Sequence, residues 1–412
     1  MERFGSNDAI RQTLVMVLAG GQGERLYPLT KERAKPAVPF AGVYRIIDFA
    51  LSNCLNSGLR RIYVLTQYKS ESLDRHVSFG WNIFNPELGE WIETRPPQQR
   101  TSSDWYLGTA DAIYQNIYTL DGVRPRHVLV LGGDHVYRMD YAPMLAAHEA
   151  NQADVTVACV EVPVSRAAER LGVVCTDEDL RVTRFEEKPS SPEPCEGERG
   201  VCLCSMGVYA FVTEKLVRRV VEDAKSASEH DFGRDVLPAM VARGDRVFAY
   251  RFGGGYWRDI GALDAYWEAH MDLVSVQPAF NLYDPDWPIR GYPHCRPPAK
   301  VVFGGGAEGA PKAEVYNSLV CDGAIVGGAY VCDSIIGPGV HVEVGSRIEK
   351  SIILDSTSVG RRVEIRRSII DKANCLPDGA RVGCDPEWDA RHFTVSEGGV
   401  VVMPKAVPFP KS

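Results

Sequence analysis

The sequence predicts an α/β domain on a mostly parallel sheet, followed by a linker and a C-terminal parallel β-helix. Three observations carry the prediction. A β-branched apolar run, Leu14–Leu18, breaks abruptly into Gly20, Gly21 and Gly23, as a buried strand does at a glycine-rich turn. Strand-like runs then alternate with amphipathic helical stretches as far as Val274, the pattern of right-handed strand–helix–strand crossovers. Beyond residue 312 apolar residues recur in steps of five or six within a 17-residue period, as in coils built of hexapeptides.

A chain of 412 residues is too long for one ordinary core, so two domains are expected. Its 45% hydrophobic and 24% charged residues are those of a globular protein. A formal net charge of −8 without a basic tract argues against nucleic acid as a partner. No run of about 18 apolar residues occurs, so no membrane partner is expected. The polar start MERFGSNDAIRQT lacks a signal peptide's apolar core. Eleven cysteines, scattered and without a CxxC pair, fit small buried side chains in a reducing cytoplasm rather than disulfides or a metal site.

In chain order, a glycine-rich turn after the first strand lets backbone N–H groups approach a phosphate chain without interference from Cβ atoms. Arg25 and Lys35 follow at short range, a combination suited to a polyphosphate. The turn is not a P-loop, because Glu24 and Arg25 stand where GK[ST] would be, and Leu26 breaks a dinucleotide fingerprint. ALSNCLNSGL reads as a helix ended by Gly58, and Ile62–Thr66 as the next strand, ending at Gln67. Active sites in such sheets form beyond the carboxyl ends of the strands, where the glycine turn and Gln67 fall. Residues 81–107 read as a long loop, and Gly108 opens a helix carrying Ile113, Ile117 and Leu120 on one face.

The strand His127–Leu131 ends in Gly132-Gly133-Asp134. An aspartate there suits either a helix N-cap or a ligand to Mg²⁺, and the upstream glycine turn favours the metal. Strands follow at Val155–Val162, up to Arg184–Pro189 with Lys188 beside two carboxylates, and at Leu203–Val212. SEHDFGRDVL opens a helix. Asp259, after Gly253-Gly254-Gly255, is either a turn former or the partner of Asp134 around a cation. Leu263–Val274 is a helix that closes a domain spanning residues 1–276, and the Pro- and Gly-rich residues 277–312 are an extended linker. In 313–412, Ile336, Val342 and Ile348 recur 17 residues later as Ile353, Val359 and Ile365, then as Ile370, Leu376 and Val382. About four coils fit, ending near Gly383.

GGxGxRLxPLTxxRxKP resembles the opening of the sugar-1-phosphate nucleotidyltransferases. With PAVPFAGVYRIIDFALSN, TQYKS, WYLGTADA, GGDHVYRMDY, EKP, SMGVY, HDFGRDVLP, YWRDIGALDAYWEAHMDL and WPIR in this order, the likeness narrows to the bacterial glucose-1-phosphate adenylyltransferases, or ADP-glucose pyrophosphorylases. It runs from Leu14 to about Val401. The resemblance implies a Rossmann-like nucleotidyltransferase domain and a left-handed β-helix with regulatory and oligomerisation roles. It also implies an adenylyl transfer from ATP to glucose 1-phosphate for glycogen synthesis, with Mg²⁺. By the same resemblance Gly20, Gly21, Gly23, Arg25 and Lys35 would hold the triphosphate. Gln98 or Gln99 would read the base, and Tyr106 and Gly108 would line the nucleotide side. Gly172, Glu187, Lys188 and Ser205 would bind glucose 1-phosphate, with Lys188 on its phosphate. Asp134 and Asp259 would be the magnesium ligands, and Arg33, Arg45 and Lys372 would bind allosteric effectors. A cytoplasmic homotetramer is expected.

The chemistry agrees with general principles. The sugar phosphate oxygen is already anionic, so its in-line attack on the α-phosphate asks for positioning and charge neutralisation rather than a general base. The sequence departs from the family at Ala41 and Gly132, both small, and at Glu32, where some relatives carry an activator-binding lysine beside the position of Lys31. The rival readings are a nucleotidyltransferase using UTP, dTTP or GTP, acyl transfer by the β-helix with His341 as base, and a silent regulatory subunit. The last is disfavoured because Arg25, Asp134, Lys188 and Asp259 are all present.

Overall fold

A computed structural model describes residues 8–21, 23–98, 105–194, 200–292, 295–304 and 311–410. The chain divides into two compact units, neither contiguous in sequence. The first comprises Met1–Gly21, Phe49–Gly133 and Tyr137–Trp257, and the second Gln22–Asp48, Asp134–Val136 and Arg258–Ser412.

The first unit is built on a nine-stranded sheet. Strand Thr13–Ala19 lies between Arg61–Thr66 and His127–Gly132 and is parallel to both. Its residues Leu14 to Val17 are fully buried, as a parallel strand covered on both faces requires, which is why it reads as a continuous apolar run. On the far side of His127–Gly132 the strand Val201–Val212 runs antiparallel and carries Val155–Pro163 and Gly172–Thr176. Val182–Glu187 and Val247–Arg251 complete that half. The registers Ala19↔Thr66 and Leu18↔Gly132 bring Gly20, Gln67 and Gly133 to one edge of the sheet.

Two features of this unit differ from the sequence reading. The stretch expected to be loop contains the strand Trp91–Arg95, parallel to Arg61–Thr66. It is an edge strand, only half-buried, so its apolar signal is weak. The helix after Gly108 is two helices, Thr109–Tyr114 and Ile117–Val123. Between them the Asn116 side-chain amide donates to the Ala112 carbonyl and to the Tyr106 hydroxyl, competing with the backbone for the helical acceptor.

The second unit contains the left-handed β-helix. Its three sheets, parallel except for the terminal strand Thr394–Val395, stack the expected residues: Val326, Val342, Val359 and Leu376 on one, Val331, Ile348, Ile365 and Val382 on the next, and Val320, Ile336, Ile353 and Ile370 on the third. At one corner Asn317, Asp333, Lys350 and Arg367 adopt left-handed backbone at φ 43, 48, 48 and 44°. A serine follows each of them, and Ser318, Ser334 and Ser351 each link one coil to the next. Ser351 Oγ donates to the Glu349 carbonyl at 2.7 Å and accepts from Ser368 N–H at 3.1 Å, and Ser334 does the same one coil earlier. The solenoid extends past both expected ends. Strand Lys300–Val302, inside the expected linker, pairs with Ile325–Gly327, and after the helix Pro386–His392 strand Val401–Met403 pairs with Ser368–Ile370.

The helix Leu263–Val274 forms as expected and fixes the segment that carries Arg33, Lys35 and Arg45. Tyr266 donates its hydroxyl to the Pro39 carbonyl at 2.6 Å, and the His270 Nε2 accepts from Ala41 N–H at 3.0 Å. Burial lowers the His270 imidazole to about 3, so it is neutral and serves as an acceptor.

Candidate active site

In the second unit, the turn after Gly23 folds back on Lys35. Gly23 adopts φ 66°, and a Cβ there would lie 2.9 Å from the Lys35 Cβ. The Lys35 side chain is 9% exposed, and its ammonium donates to Asp134 Oδ2 at 2.8 Å and to Asp259 Oδ1 at 3.3 Å. His135 Nε2 lies 3.6 Å from Asp134 and 3.7 Å from Asp259. Arg25 adjoins the same cluster, for a Cβ on Gly261 would lie 3.2 Å from Arg25 Nη2 and 3.0 Å from Asp259 Oδ2. Burial works against the Lys35 charge, but the two carboxylates outweigh it and raise the ammonium above its ordinary value. Burial likewise disfavours the Asp134 carboxylate, and Lys35 and His135 reverse this and hold it far below the usual range.

The arrangement has a donor set for a hard cation. Both carboxylates remain accessible, at 35% and 24% exposure. Among the described residues no group of three or more His, Cys, Asp and Glu side chains is arranged for a metal. Mg²⁺ does not need one, since it binds through one or two carboxylates and takes its remaining ligands from water and phosphates. Two carboxylates sharing one ammonium therefore fit that ion.

The first unit assembles two further groups. On the glycine-turn edge Gln67 packs against Gly20 and donates to the Tyr106 carbonyl at 3.2 Å. A Cβ on Gly108 would collide with the carbonyl oxygens of Glu229 and His230. The second group surrounds Glu187, whose Oε2 would lie 2.7 Å from a Cβ on Gly172 and 2.5 Å from one on Gly233, so both glycines make room for this carboxylate. Lys188, 41% exposed, pairs with Glu187 at 3.0 Å. Ser205 Oγ lies 3.3 Å from the Tyr209 hydroxyl, and burial, with Glu187 and Asp231 nearby, pushes that phenol well above its ordinary value. Asp231 caps the turn Phe232–Val236 by accepting from Gly233 and Arg234 N–H, and also accepts from the Thr109 hydroxyl.

Tyr209, Asp231, Gly233 and Gly261 were not anticipated as site residues, although SMGVY, HDFGRDVLP and YWRDIGALDAYWEAHMDL contain them. Gln98 is exposed and donates to its neighbour's carbonyl at Pro96, so it is not gathered into either group. Gln99 lies outside the described residues.

The three basic positions expected to bind effectors lie together in the second unit. Arg33 is buried and donates to Asp371 Oδ2 at 2.7 Å. Burial, then the nearby Arg45 and Arg33, lowers Lys372 to about 8. Burial lowers Arg45 to about 10, with Asp48 opposing and Arg33 assisting.

Comparison with known proteins identifies the family. A family described as nucleotidyl transferase matches residues 14–276, and one described as GlmU-like, C-terminal hexapeptide, matches residues 297–403. Proteins named glucose-1-phosphate adenylyltransferase are similar along almost the whole chain. That of Rhodopirellula baltica is 47% identical, covering 97% of this chain and 91% of its own. That of Thiobacillus denitrificans is 49% identical over 95% and 90%. That of Shewanella oneidensis is 47% identical over 97% and 96%. The chain therefore belongs to the nucleotidyl transferase family and, along nearly its full length, to the glucose-1-phosphate adenylyltransferases.

Proposed function

We propose that the chain transfers the adenylyl group of ATP to α-D-glucose 1-phosphate, giving ADP-glucose and pyrophosphate for glycogen synthesis. The observation that carries this reading is the Lys35 ammonium shared by Asp134 and Asp259 in a chain nearly half identical to enzymes of that name. The backbone N–H groups of Gly20, Gly21 and Gly23, with Arg25, hold the triphosphate. Asp134 and Asp259 would hold Mg²⁺, and the ion supplies neutralisation of triphosphate charge. Lys35 offsets the repulsion between the two carboxylates and lends positive charge to the leaving pyrophosphate.

Gln67, Tyr106 and Gly108 support the nucleotide. Gly172, Glu187 and Ser205 accommodate the sugar, and Lys188 exchanges Glu187 for the sugar phosphate and offsets its repulsion from ATP. The attacking oxygen is already anionic, so no side chain is assigned the role of general base.

Three clustered cations, Arg33, Arg45 and Lys372, repel one another in a buried setting, which supports binding of anionic effectors there. The family resemblance supports a homotetramer working in the cytoplasm. The test of the reaction is pyrophosphate release with glucose 1-phosphate and each of ATP, UTP, dTTP and GTP. ATP is expected to dominate, and dominance of another nucleotide would remove adenylyl transfer while keeping the reaction class.

A further inference from the structure

In the first unit the helix Thr109–Tyr114 starts without a side-chain cap, because Gly108 precedes it. Its first N–H groups turn instead to a segment far along the chain. Ala110 N–H donates to the His230 carbonyl at 2.8 Å, and Asp111 N–H reaches the same oxygen at 3.4 Å, so His230 caps the helix in place of a local residue. Only a glycine at 108 leaves room for that approach.

Thr109 adds a clamp across the same junction. Its hydroxyl donates to Asp231 Oδ2 at 2.8 Å and accepts from Phe232 N–H at 2.9 Å, joining positions 122 residues apart. A carboxylate only accepts, so the single hydroxyl proton is committed to Asp231 and none is left for a substrate. The held segment needs outside contacts, since His230 adopts left-handed backbone at φ 56°, a conformation that costs a residue other than glycine free energy.

The turn so fixed leads to the sugar side. Asp231 Oδ1 accepts from Gly233 N–H at 2.8 Å, and Gly233 lies against Glu187, the partner of Lys188. The buried Phe232 ring lies 5.7 Å from that of Tyr209, whose hydroxyl is 3.3 Å from Ser205 Oγ. Thr109 is thereby linked to Glu187 through Gly233, and to Ser205 through Phe232 and Tyr209.

On the adenylyl-transfer reading, we infer that Thr109, although it opens the helix beside the nucleotide, is a positioning residue for glucose 1-phosphate that acts through Asp231 and Phe232. Thr109→Val keeps the shape and removes the hydroxyl, so the Phe232 N–H and one Asp231 oxygen lose their partner and the sugar wall loosens. Steady-state ADP-glucose formation by this variant is expected to show a KM for glucose 1-phosphate raised about tenfold, with the KM for ATP unchanged. Thr109→Ser keeps the hydroxyl and is expected to restore the wild-type value. An unchanged KM for glucose 1-phosphate, an equal rise in both KM values, or no restoration by serine overturns the proposal.

A second measurement uses the wild-type chain and does not depend on the valine variant folding. With a non-hydrolysable ATP analogue present, glucose 1-phosphate is expected to slow hydrogen exchange at the Phe232 and Gly233 amides, and unaltered exchange there overturns the proposal. Absence of ADP-glucose from the wild-type chain would remove the transfer reading and this role with it. An active wild type beside a Thr109→Val chain of equal KM would remove the role of Thr109 alone.

Discussion

Replacing Lys35 by glutamine removes the only ammonium paired with both Asp134 and Asp259 among the described residues. At an effective dielectric of about 20, ion pairs at the observed 2.8 and 3.3 Å correspond to about 6 and about 5 kcal/mol of attraction. Water over the accessible carboxylates screens much of this, and burying the ammonium opposes it, so a net loss of about 2–4 kcal/mol of stability is expected. The rate effect follows from a different comparison. An aligned charge that meets developing negative charge is worth about 10²–10³ in kcat. Lys35→Gln should therefore lower pyrophosphate release at saturating substrates by that factor. It should also give a larger Mg²⁺-induced rise in melting temperature than the wild-type chain, because the two carboxylates have lost their internal cation. The assays are steady-state pyrophosphate release and thermal unfolding across a Mg²⁺ series. A variant that folds normally, keeps kcat within about threefold and responds to Mg²⁺ as the wild type does would refute the reasoning.

Three further outcomes are expected. Gly108→Ala should lose nucleotide affinity and stability together, because its Cβ would meet the Glu229 and His230 carbonyls; unchanged KM for ATP and unchanged melting temperature would contradict this. Ser351→Ala removes an acceptor for Ser368 N–H and a donor to the Glu349 carbonyl in a buried ladder, and should cost about 2–4 kcal/mol in denaturant unfolding. Faster hydrogen exchange at Ser368 is expected with it, and unaltered exchange would sink the ladder argument. His148 and His270 are lowered to about 3 in the folded chain, so the unfolded chain takes up their protons first as pH falls. Their stabilisation is complete above about pH 6.5 and is lost on acidification towards pH 3, at about 1.4 kcal/mol per pH unit for each. Unfolding free energies at pH 7, 6 and 5 should thus fall less steeply in His148→Gln than in the wild type, and equal slopes would exclude the assignment.

Periodic features could be read from the sequence because periodicity is local. In the β-helix each inward residue is fixed by its place in the coil, so Ile336, Ile353 and Ile370 stack as their 17-residue spacing requires. The strand through Leu14–Val17 was equally plain, since both its faces are buried. Trp91–Arg95 was hidden, because a half-buried edge strand depends on its neighbour rather than on its own pattern. The candidate site was legible as motifs but not as geometry. Lys35 meets Asp134 and Asp259 across 99 and 224 residues of chain, and no spacing rule reports such a contact. Gly233 and Gly172 gain meaning only once Glu187 stands between them.

The most direct measurement follows label from [α-³²P]ATP into sugar nucleotide, with glucose 1-phosphate and Mg²⁺, in the wild-type chain and in Asp134→Asn. The account predicts labelled ADP-glucose from the wild type and a loss of about a hundredfold or more in the variant. Absence of labelled ADP-glucose from the wild type, or equal labelling by Asp134→Asn, would contradict it.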